Sequence, residues 1–555
     1  MDRPKSVPDM IKPMDELITS LKKASQDLFG VDVEPELSRP DEKFGDYATN
    51  VALQLGKKLG KTPREIAEAL AGEIQKTGLV AKVGVAGPGF INFTLTDGNL
   101  AKAAFSATDL PESLSGQEIL VEFGDPNPFK EMHIGHLYSY IVGDAIASLL
   151  QANGADVKRL SYHGDVGLHV AKAIWALQKA KVNTDDRENI GAYYAEGAKA
   201  YEQDEQAKKE IEDINEHIYA KDDPRINELH KEGCRLSFER FDKILDLLSI
   251  SNDKRYLESE TIAAGQKLVE KNVGSVFKQS QGAIIFEGEK IGLHTRVFIT
   301  SQGLPTYETK DLGLTELKNK DYPQASRSII ITANEQSEYF KVMLAALAEI
   351  DAALAKKTTH LSHGFLSLTS GKMNSRSGNV YVAMELLLEV KAAVHEQYPE
   401  SQVRKEVTFA AVKYAFLKHR LGSDIVVDIK ESIGLEGNSG PYLQYAFARA
   451  KGILNKANFQ GRALEIKGEF DENERSLARK ISEYPEVVAK ATAELMPHHI
   501  CTYLYELAQA FNSFYENNRV IGNDREAARL KLVEAYAGVL KHGLALLNIA
   551  APEQV

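Results

Sequence analysis

The chain has 555 residues, 43% hydrophobic and 26% charged, a balance close to that of globular proteins and long enough for about three to five domains. Its 67 basic and 79 acidic residues sum to −12, which argues against a histone-like nucleic-acid binder but not against a protein that grips nucleic acid on one face. There is no apolar run of about 18 residues and no apolar leader core, and the two cysteines, Cys234 and Cys501, allow neither a disulfide framework nor a cysteine-built zinc site, so a reducing, cytoplasmic setting away from membranes is expected.

In chain order, residues 1–115 read as a small separate α+β unit. Residues 53–74 hold two helical patterns broken between Gly60 and Pro63. Thr62 is placed to cap the second, and Pro63 suits its first position. A strand is predicted over residues 85–95, behind a Pro-Gly turn, and the stretch 109–117 reads as a linker. From Glu118 the pattern changes. Residues 119–123 form a short buried strand, residues 137–154 a helix, 157–165 a second strand and 166–180 a second helix. That alternation predicts an α/β, doubly wound parallel-sheet (Rossmann-like) catalytic domain over residues 116–405.

Within it, residues 185–232 carry 15 acids against seven bases at helical period. They mark an acidic helical insertion over about residues 184–282, unlike an editing domain. Strands resume near residues 282–286 and 296–300, and residues 334–353 and 385–396 read as helices. Beyond about Val407 the chain is helical to its end, so residues 406–555 are expected to form an all-α bundle.

Two segments carry chemistry. The first, Pro126-Asn127-Pro128-Phe129-Lys130-Glu131-Met132-His133-Ile134-Gly135-His136, lies between a buried strand and a helix. Doubly wound sheets bind ligands at that place, and a helix start offers N–H groups and a positive dipole end to phosphate. Two histidines three apart can face one anion, Gly135 lets a planar base approach the backbone, and Lys130 adds a cation. Alone, His-x-Gly-His also fits a helix start with two surface histidines. The second segment is Gly371-Lys372-Met373-Asn374-Ser375-Arg376-Ser377-Gly378-Asn379. It could close over a triphosphate on its terminal glycines and offset charge as pyrophosphate leaves. Alone it reads as a solvated loop, and its weight comes from the first segment.

Together the two segments resemble the paired signatures of a class I aminoacyl-tRNA synthetase. Further blocks are similar to the arginyl-tRNA synthetase family. They are Val121-Glu122-Phe123 ahead of Pro126, Asn127 and Lys130; Tyr307-Glu308-Thr309-Lys310-Asp311-Leu312-Gly313, similar to that family's substrate strand; and Asn334-Glu335-Gln336 with Tyr339-Phe340. Glu436-Gly437-Asn438-Ser439-Gly440-Pro441-Tyr442-Leu443-Gln444-Tyr445-Ala446 with Arg449 resembles the start of its anticodon-binding bundle, and Phe44-Gly45-Asp46-Tyr47-Ala48-Thr49-Asn50 its N-terminal domain. The resemblance spans nearly the whole chain, in the family's order.

The resemblance implies an arginine–tRNA ligase. It would activate L-arginine with ATP and Mg2+ to arginyl-adenylate and pyrophosphate. It would then transfer the arginyl group to the terminal adenosine 2′-hydroxyl of the arginine tRNA, with activation requiring bound tRNA. The catalytic groups implied are His133, His136, Lys130 and Lys372. ATP would be bound by Lys130, His133, Gly135, His136, Gly364, Leu366, Lys372, Met373, Ser375 and Arg376, with His363-Gly364-Phe365-Leu366 presenting backbone to adenine. Arginine would be bound by Glu122, Asn127, His133, Tyr307, Asp311 and Gln336, and tRNA by Asn92, Tyr515 and Arg519. No metal ligands, no structural zinc and a monomer are implied. The chemistry is consistent, because a guanidinium calls for carboxylates, and a bidentate one separates it from the point charge of lysine.

The class pattern Lys-Met-Ser-Lys-Ser is altered here, with Asn374 at its third position and Ser375 at its second lysine. Family members often lack that lysine, and Lys130 is expected to supply the charge. Tyr515 stays open between a base-stacking residue and a core aromatic at helical spacing. Of two rival readings, a nucleotidyl transferase without tRNA is disfavoured by the C-terminal bundle. A non-catalytic tRNA-binding relative is disfavoured by the presence of His133, His136 and Lys372. The acidic insertion is expected to face away from the tRNA, where phosphates would meet like charge.

Overall fold

The fold was analysed in a computed structural model, which describes residues 13–180, 190–369, 381–459, 461 and 469–554. Chain order begins with α1 (Pro13–Phe29), β1 (Tyr47–Thr49), α2 (Val51–Leu59), α3 (Pro63–Gln75), β2 (Val80–Ala86), β3 (Phe90–Leu95) and α4 (Asp97–Phe105). The Thr62 hydroxyl accepts the Glu65 N–H at 3.4 Å at the start of α3, as the sequence predicts. The single strand expected over residues 85–95 is instead the end of an antiparallel hairpin, in which β3 sits between β1 and β2. Gly87 and Gly89 both take positive φ and turn the chain between the two strands.

The catalytic domain is built on β4 (Glu118–Phe123), α5 (Ile134–Ala152), β5 (Asp156–His163) and α6 (Leu168–Lys179). Three helices follow: α7 (Ile190–Gln203), α8 (Glu205–Ala220) and α9 (Pro224–Leu248). The chain then returns through β6 (Lys254–Leu257) and α10 (Glu258–Lys271). A small antiparallel sheet of β7 (Lys278–Ser280), β8 (Ala283–Phe286) and β9 (Arg296–Ile299) leads to α11 (Tyr307–Asp321). Next come β10 (Ala325–Ala333), α12 (Ser337–Ile350), α13 (Ala352–Lys357), β11 (Thr358–His363) and β12 (Leu366–Leu368).

The central sheet has five parallel strands in the order β11-β10-β4-β5-β6. The chain winds one way from β4 through β5 to β6, then returns to the far side of β4 as β10 and β11. The winding therefore reverses between β4 and β10, and a crevice opens beyond their carboxyl ends. Five of the six β4 residues are buried, as expected for a parallel strand covered on both faces.

Two expectations are corrected. The insertion expected over residues 184–282 is too long, because β6 pairs with β5 in the central sheet and the helical excursion ends at Leu248. The strand Lys-Arg-Tyr-Leu is short and carries two cations, so it has no apolar pattern to reveal it. The block beginning at Tyr307, read as a strand, is the first turn of α11.

The rest of the chain is α14 (Ala383–Gln397), α15 (Arg404–Leu417), β13 (Ile425–Val427), α16 (Ile429–Ser432), α17 (Gly440–Lys456), α18 (Glu472–Ser482), α19 (Tyr484–Glu494), α20 (His498–Asn517) and α21 (Glu526–Leu546). β13 pairs in parallel with β12 and ties this helical part to the catalytic domain. The N-terminal domain docks on the helical part through charge. Arg39 meets Glu486 at 2.8 Å, and Arg475 meets buried Asp46 at 2.6 Å and also pairs with Asp97.

Candidate active site

A polar cavity of about 460 Å³ occupies the crevice at the reversal point, lined by Glu122 and Gly124 at the end of β4 and by Ile331 and Thr332 at the end of β10. Another hollow, of about 410 Å³ between α9, α14 and α15, is lined by apolar residues such as Leu247, Leu387 and Phe409 together with Lys391, Arg404 and Lys405, and contains none of the motif residues.

On one wall stands the start of α5. His133 is its N-cap residue, and its Nδ1 accepts the N–H groups of Gly135 at 3.1 Å and His136 at 3.4 Å. His136 Nδ1 in turn accepts the His133 N–H at 3.3 Å, so the two imidazoles close a reciprocal cap. Their rings stack with centroids 3.6 Å apart. Burial is the main reason both are hard to protonate. The His133 pKa falls to about 4, helped by Lys130, and that of His136 falls well below its usual value, helped by His133. With each Nδ1 accepting, the proton of each neutral ring sits on Nε2. The pair is thus a set of neutral Nε2–H donors at a helix start rather than two cations. A side chain at Gly135 would stand 3.0 Å from the His133 ring, so this glycine also makes room for its neighbour's imidazole.

The opposite part of the cavity is acidic. Glu122 is buried and ion-paired with Lys318 at 2.8 Å, and Glu258 with Lys310 at 2.6 Å. Among the described residues, Asp311 and Asp125 face no cationic partner within ion-pair distance. Asp311 accepts the Tyr339 hydroxyl at 2.7 Å, and Asp125 accepts the Tyr162 N–H at 2.7 Å. Burial pushes the Asp311 carboxyl up to about 8; Glu122 and Glu258 add to this, and the Tyr339 hydrogen bond offsets part of it. Burial, then Glu122, lifts Asp125 well above the carboxylate range. Asp125 has φ 51° and Phe129 φ 66°, so the turn between β4 and α5 holds two non-glycine residues in the left-handed region.

The structure brings most of the expected residues together. Glu122, Asn127, His133, Gly135, His136, Tyr307, Asp311, Gln336, Gly364 and Leu366 all line the one cavity. Asn127 Oδ1 accepts the Gly164 N–H at 3.0 Å, which leaves its amide hydrogens for a ligand. Gly364 packs so closely on the Ser423 carbonyl that a side chain there would collide with it.

Lys130 lies beside the cavity, its ammonium 4.8 Å from the Tyr194 ring. Lys372, Met373, Ser375 and Arg376, with the whole segment 370–380, lie outside the described residues. The flanks of that segment are anchored, one on β13 and the other beside His133. Thr369 donates its N–H to Val427 at 3.1 Å, and Tyr381 accepts the Ile134 N–H at 3.0 Å beside His133.

Sequence reading missed Lys318, Lys310, Glu258 and Asp125. Asp125 stands directly ahead of the first motif block and was open to notice. Lys318 is 196 residues from Glu122 and has no local signal.

The expected tRNA residues lie elsewhere. Asn92 is on β3, between core-facing Ile91 and Phe93, and so on the opposite face of that sheet. Tyr515 on α20 is half-buried, with the Arg449 guanidinium 4.5 Å from its ring centre and the Phe511 ring 6.2 Å away. Arg519 lies just past the end of α20, exposed, with its Nε–H on the Ile521 carbonyl at 3.0 Å. Among the described residues no cluster of three or more His, Cys, Asp or Glu could hold a metal ion, and no helix is long and apolar enough to cross a membrane.

A doubly wound parallel sheet, with a His-x-Gly-His helix start at its reversal point and a helical C-terminal part, defines a class I aminoacyl-tRNA synthetase. Family models agree along the chain. Residues 15–95 match the arginyl tRNA synthetase N terminal domain, residues 100–429 the catalytic domain of class I (R) tRNA synthetases, and residues 443–555 the DALR anticodon binding domain. The chain belongs to the arginyl-tRNA synthetase family.

It is 31% identical to an arginine–tRNA ligase of Limosilactobacillus fermentum over 97% of this chain and 99% of that one. It superposes on the Thermus thermophilus arginyl-tRNA synthetase structure with a TM-score of 0.81 at 26% identity, covering 97% of this chain and 99% of that one. A Plasmodium falciparum arginyl-tRNA synthetase at 21% identity shares the fold, with a TM-score of 0.80 over 98% and 100% of the two chains. The enzyme charges tRNA with arginine, and ATP, arginine and tRNA are its substrates.

Proposed function

We propose that the cavity binds arginine and ATP side by side, with a role for each wall. One observation carries this reading. Two buried carboxyls, Asp311 and Asp125, which have no cationic partner among the described residues, lie across the cavity from two neutral Nε2–H donors at a helix start. The acidic wall suits a guanidinium, and the helix start suits a phosphate.

Asp311 takes the guanidinium, with Tyr307, Gln336 and the Lys318-paired Glu122 around it. Asn127 and His133 orient the α-amino and carboxylate end. The arginine carboxylate attacks the α-phosphorus in line, and the bond to pyrophosphate breaks. His133 and His136 donate hydrogen bonds to the phosphate oxygens as charge develops, and Gly364 and Leu366 present backbone to adenine. Lys130, Lys372 and Arg376 offset the charge of the leaving pyrophosphate, with Met373, Ser375 and Mg2+ completing the ATP site. The 2′-hydroxyl of the terminal adenosine then attacks the arginyl carbonyl and AMP leaves. Catalysis is by positioning and charge, with no covalent enzyme intermediate. Asn92 meets the tRNA from the N-terminal domain, and Tyr515, Arg449 and Arg519 meet the anticodon loop. We further propose that the enzyme is a cytoplasmic monomer in which tRNA is needed for activation. Residues 1–115, 116–405 and 406–555 remain the proposed domain division, with the insertion narrowed at its far end.

ATP–pyrophosphate exchange with each amino acid, with and without tRNA, tests the whole reading. Exchange with arginine alone and only with tRNA is expected; exchange with another amino acid would sink it. Lys130→Ala is expected to cut adenylate formation much more than arginine binding. Equal exchange rates in variant and parent would remove Lys130 from the mechanism.

A further inference from the structure

Three consecutive residues of the nucleotide turn are gripped by the acidic helical insertion, a contact that none of the roles above uses. Phe129 is fully buried although its φ of 66° is one that bulky residues avoid. Its ring fills the space where a side chain at Gly233 of α9 would stand. One turn on, Ser237 Oγ accepts the Phe129 N–H at 2.9 Å while donating to the Gly233 carbonyl at 2.7 Å. Lys130 points its ammonium at Tyr194 of α7, 4.8 Å from the ring centre, and among the described residues has no carboxylate within ion-pair distance. Glu131 pairs with Arg240 of α9 at 3.0 Å.

We propose that the insertion is a positioning device for Lys130, with Phe129, Gly233 and Tyr194 as its positioning residues; this rests on the reading that Lys130 serves the phosphates of ATP. The Phe129 plug holds the turn in its left-handed form, and the Tyr194 ring seats the ammonium. A carboxylate at that seat would bind the ammonium tightly and cancel its charge. An aromatic face holds it weakly and leaves the charge intact for an incoming phosphate. The insertion thus acts on the chemistry although it supplies no group to the cavity wall at the helix start.

The test is arginine-dependent ATP–pyrophosphate exchange by the full chain with tRNA present. Tyr194→Ala is expected to lower kcat about tenfold, the scale of a partly desolvated cation–π contact, with the KM for arginine and the melting temperature unchanged. Tyr194→Phe keeps the ring and recovers the rate. In a Lys130→Ala background, Tyr194→Ala costs nothing further. Gly233→Ala is a harsher probe that drives into the Phe129 ring, and circular dichroism shows whether it folds; the Tyr194 series decides the matter in either case. A Tyr194→Ala enzyme at full rate, or one that loses its tenfold again on top of Lys130→Ala, overturns the inference and leaves the role of Lys130 standing. A Lys130→Ala enzyme at full rate brings down both.

Discussion

Asp311 is buried with its carboxyl raised to about 8, so at neutral pH the empty site holds it mostly protonated. A guanidinium favours the ionised form, so arginine binding releases this proton. The KM for arginine is therefore expected to fall as pH rises from about 6 toward 8 and then level off, a trend that kinetics across this range would detect. The same shift acts on stability. Its folded pKa lies above the unfolded value, so the native state binds more protons between about pH 4 and 8 and loses stability as pH climbs through that window. Asp311→Asn removes this loss, and its amide oxygen can still accept the Tyr339 hydroxyl. The variant is expected to melt a few degrees higher than the parent at pH 8 while losing arginine activation. Equal melting temperatures at pH 8 would show that Asp311 is not held against its preference. The proposed arginine-binding role of Asp311 came from its block; the strain on its carboxyl was not legible there, because it comes first from burial and then from Glu122 and Glu258, all of which folding supplies from other elements.

Helices α10 and α11 cross almost backbone to backbone. A Cβ added at Gly265 would collide with the Thr309 carbonyl, and one at Gly313 with the Thr261 carbonyl. This close crossing sets the first turn of α11, from which Tyr307, Lys310 and Asp311 project, and brings Glu258 at the start of α10 to Lys310. Gly313→Ala is expected to cost about 1–3 kcal/mol of stability and to raise the KM for arginine more than that for ATP, measurable by urea unfolding and exchange kinetics. The block reads as a strand on its resemblance to the family's substrate strand, and its polar and apolar residues form no clean helical stripe to correct that reading. The reason is tertiary: after exposed Tyr307, the residues Glu308, Thr309, Lys310, Asp311, Leu312, Gly313, Leu314 and Thr315 are all buried, so this stretch has no solvent face to create a stripe.

Across the whole molecule, charge holds the two appendages together. Asp46 is buried and accepts the Leu95 N–H at 2.7 Å as well as pairing with Arg475. Arg475→Ala leaves that carboxylate, among the described residues, with Arg479 as its one cation, at 3.7 Å. It is expected to destabilise the protein by about 3 kcal/mol, with cleavage of the 109–117 linker by protease as the earlier sign of loosened docking. The net charge of −12 also takes on a location, since 15 acids and seven bases fall between residues 185 and 232. The helices formed by residues 190–232 pack on α6, where Trp175 donates to Glu210 at 2.7 Å, and form a wall behind the nucleotide turn. Hydroxyl-radical footprinting with bound tRNA is expected to leave residues 190–232 unprotected, because phosphates would meet like charge there. Protection centred on those helices would contradict that placement.

What the sequence alone determined is what depends on neighbours in the chain. The turn chemistry at Thr62 and Pro63, the buried run of β4, the helix start at His133 and the residue types of each motif block are set within a few positions of one another. Only the tertiary structure decided what surrounds those groups. It pairs Glu122 with Lys318, gives Asp311 and Asp125 no cation among the described residues, keeps His133 and His136 neutral and rests Lys130 on Tyr194. The physical reason is that desolvation and ion pairing depend on the groups folding brings within a few ångströms, whereas capping and strand pattern depend only on the local chain.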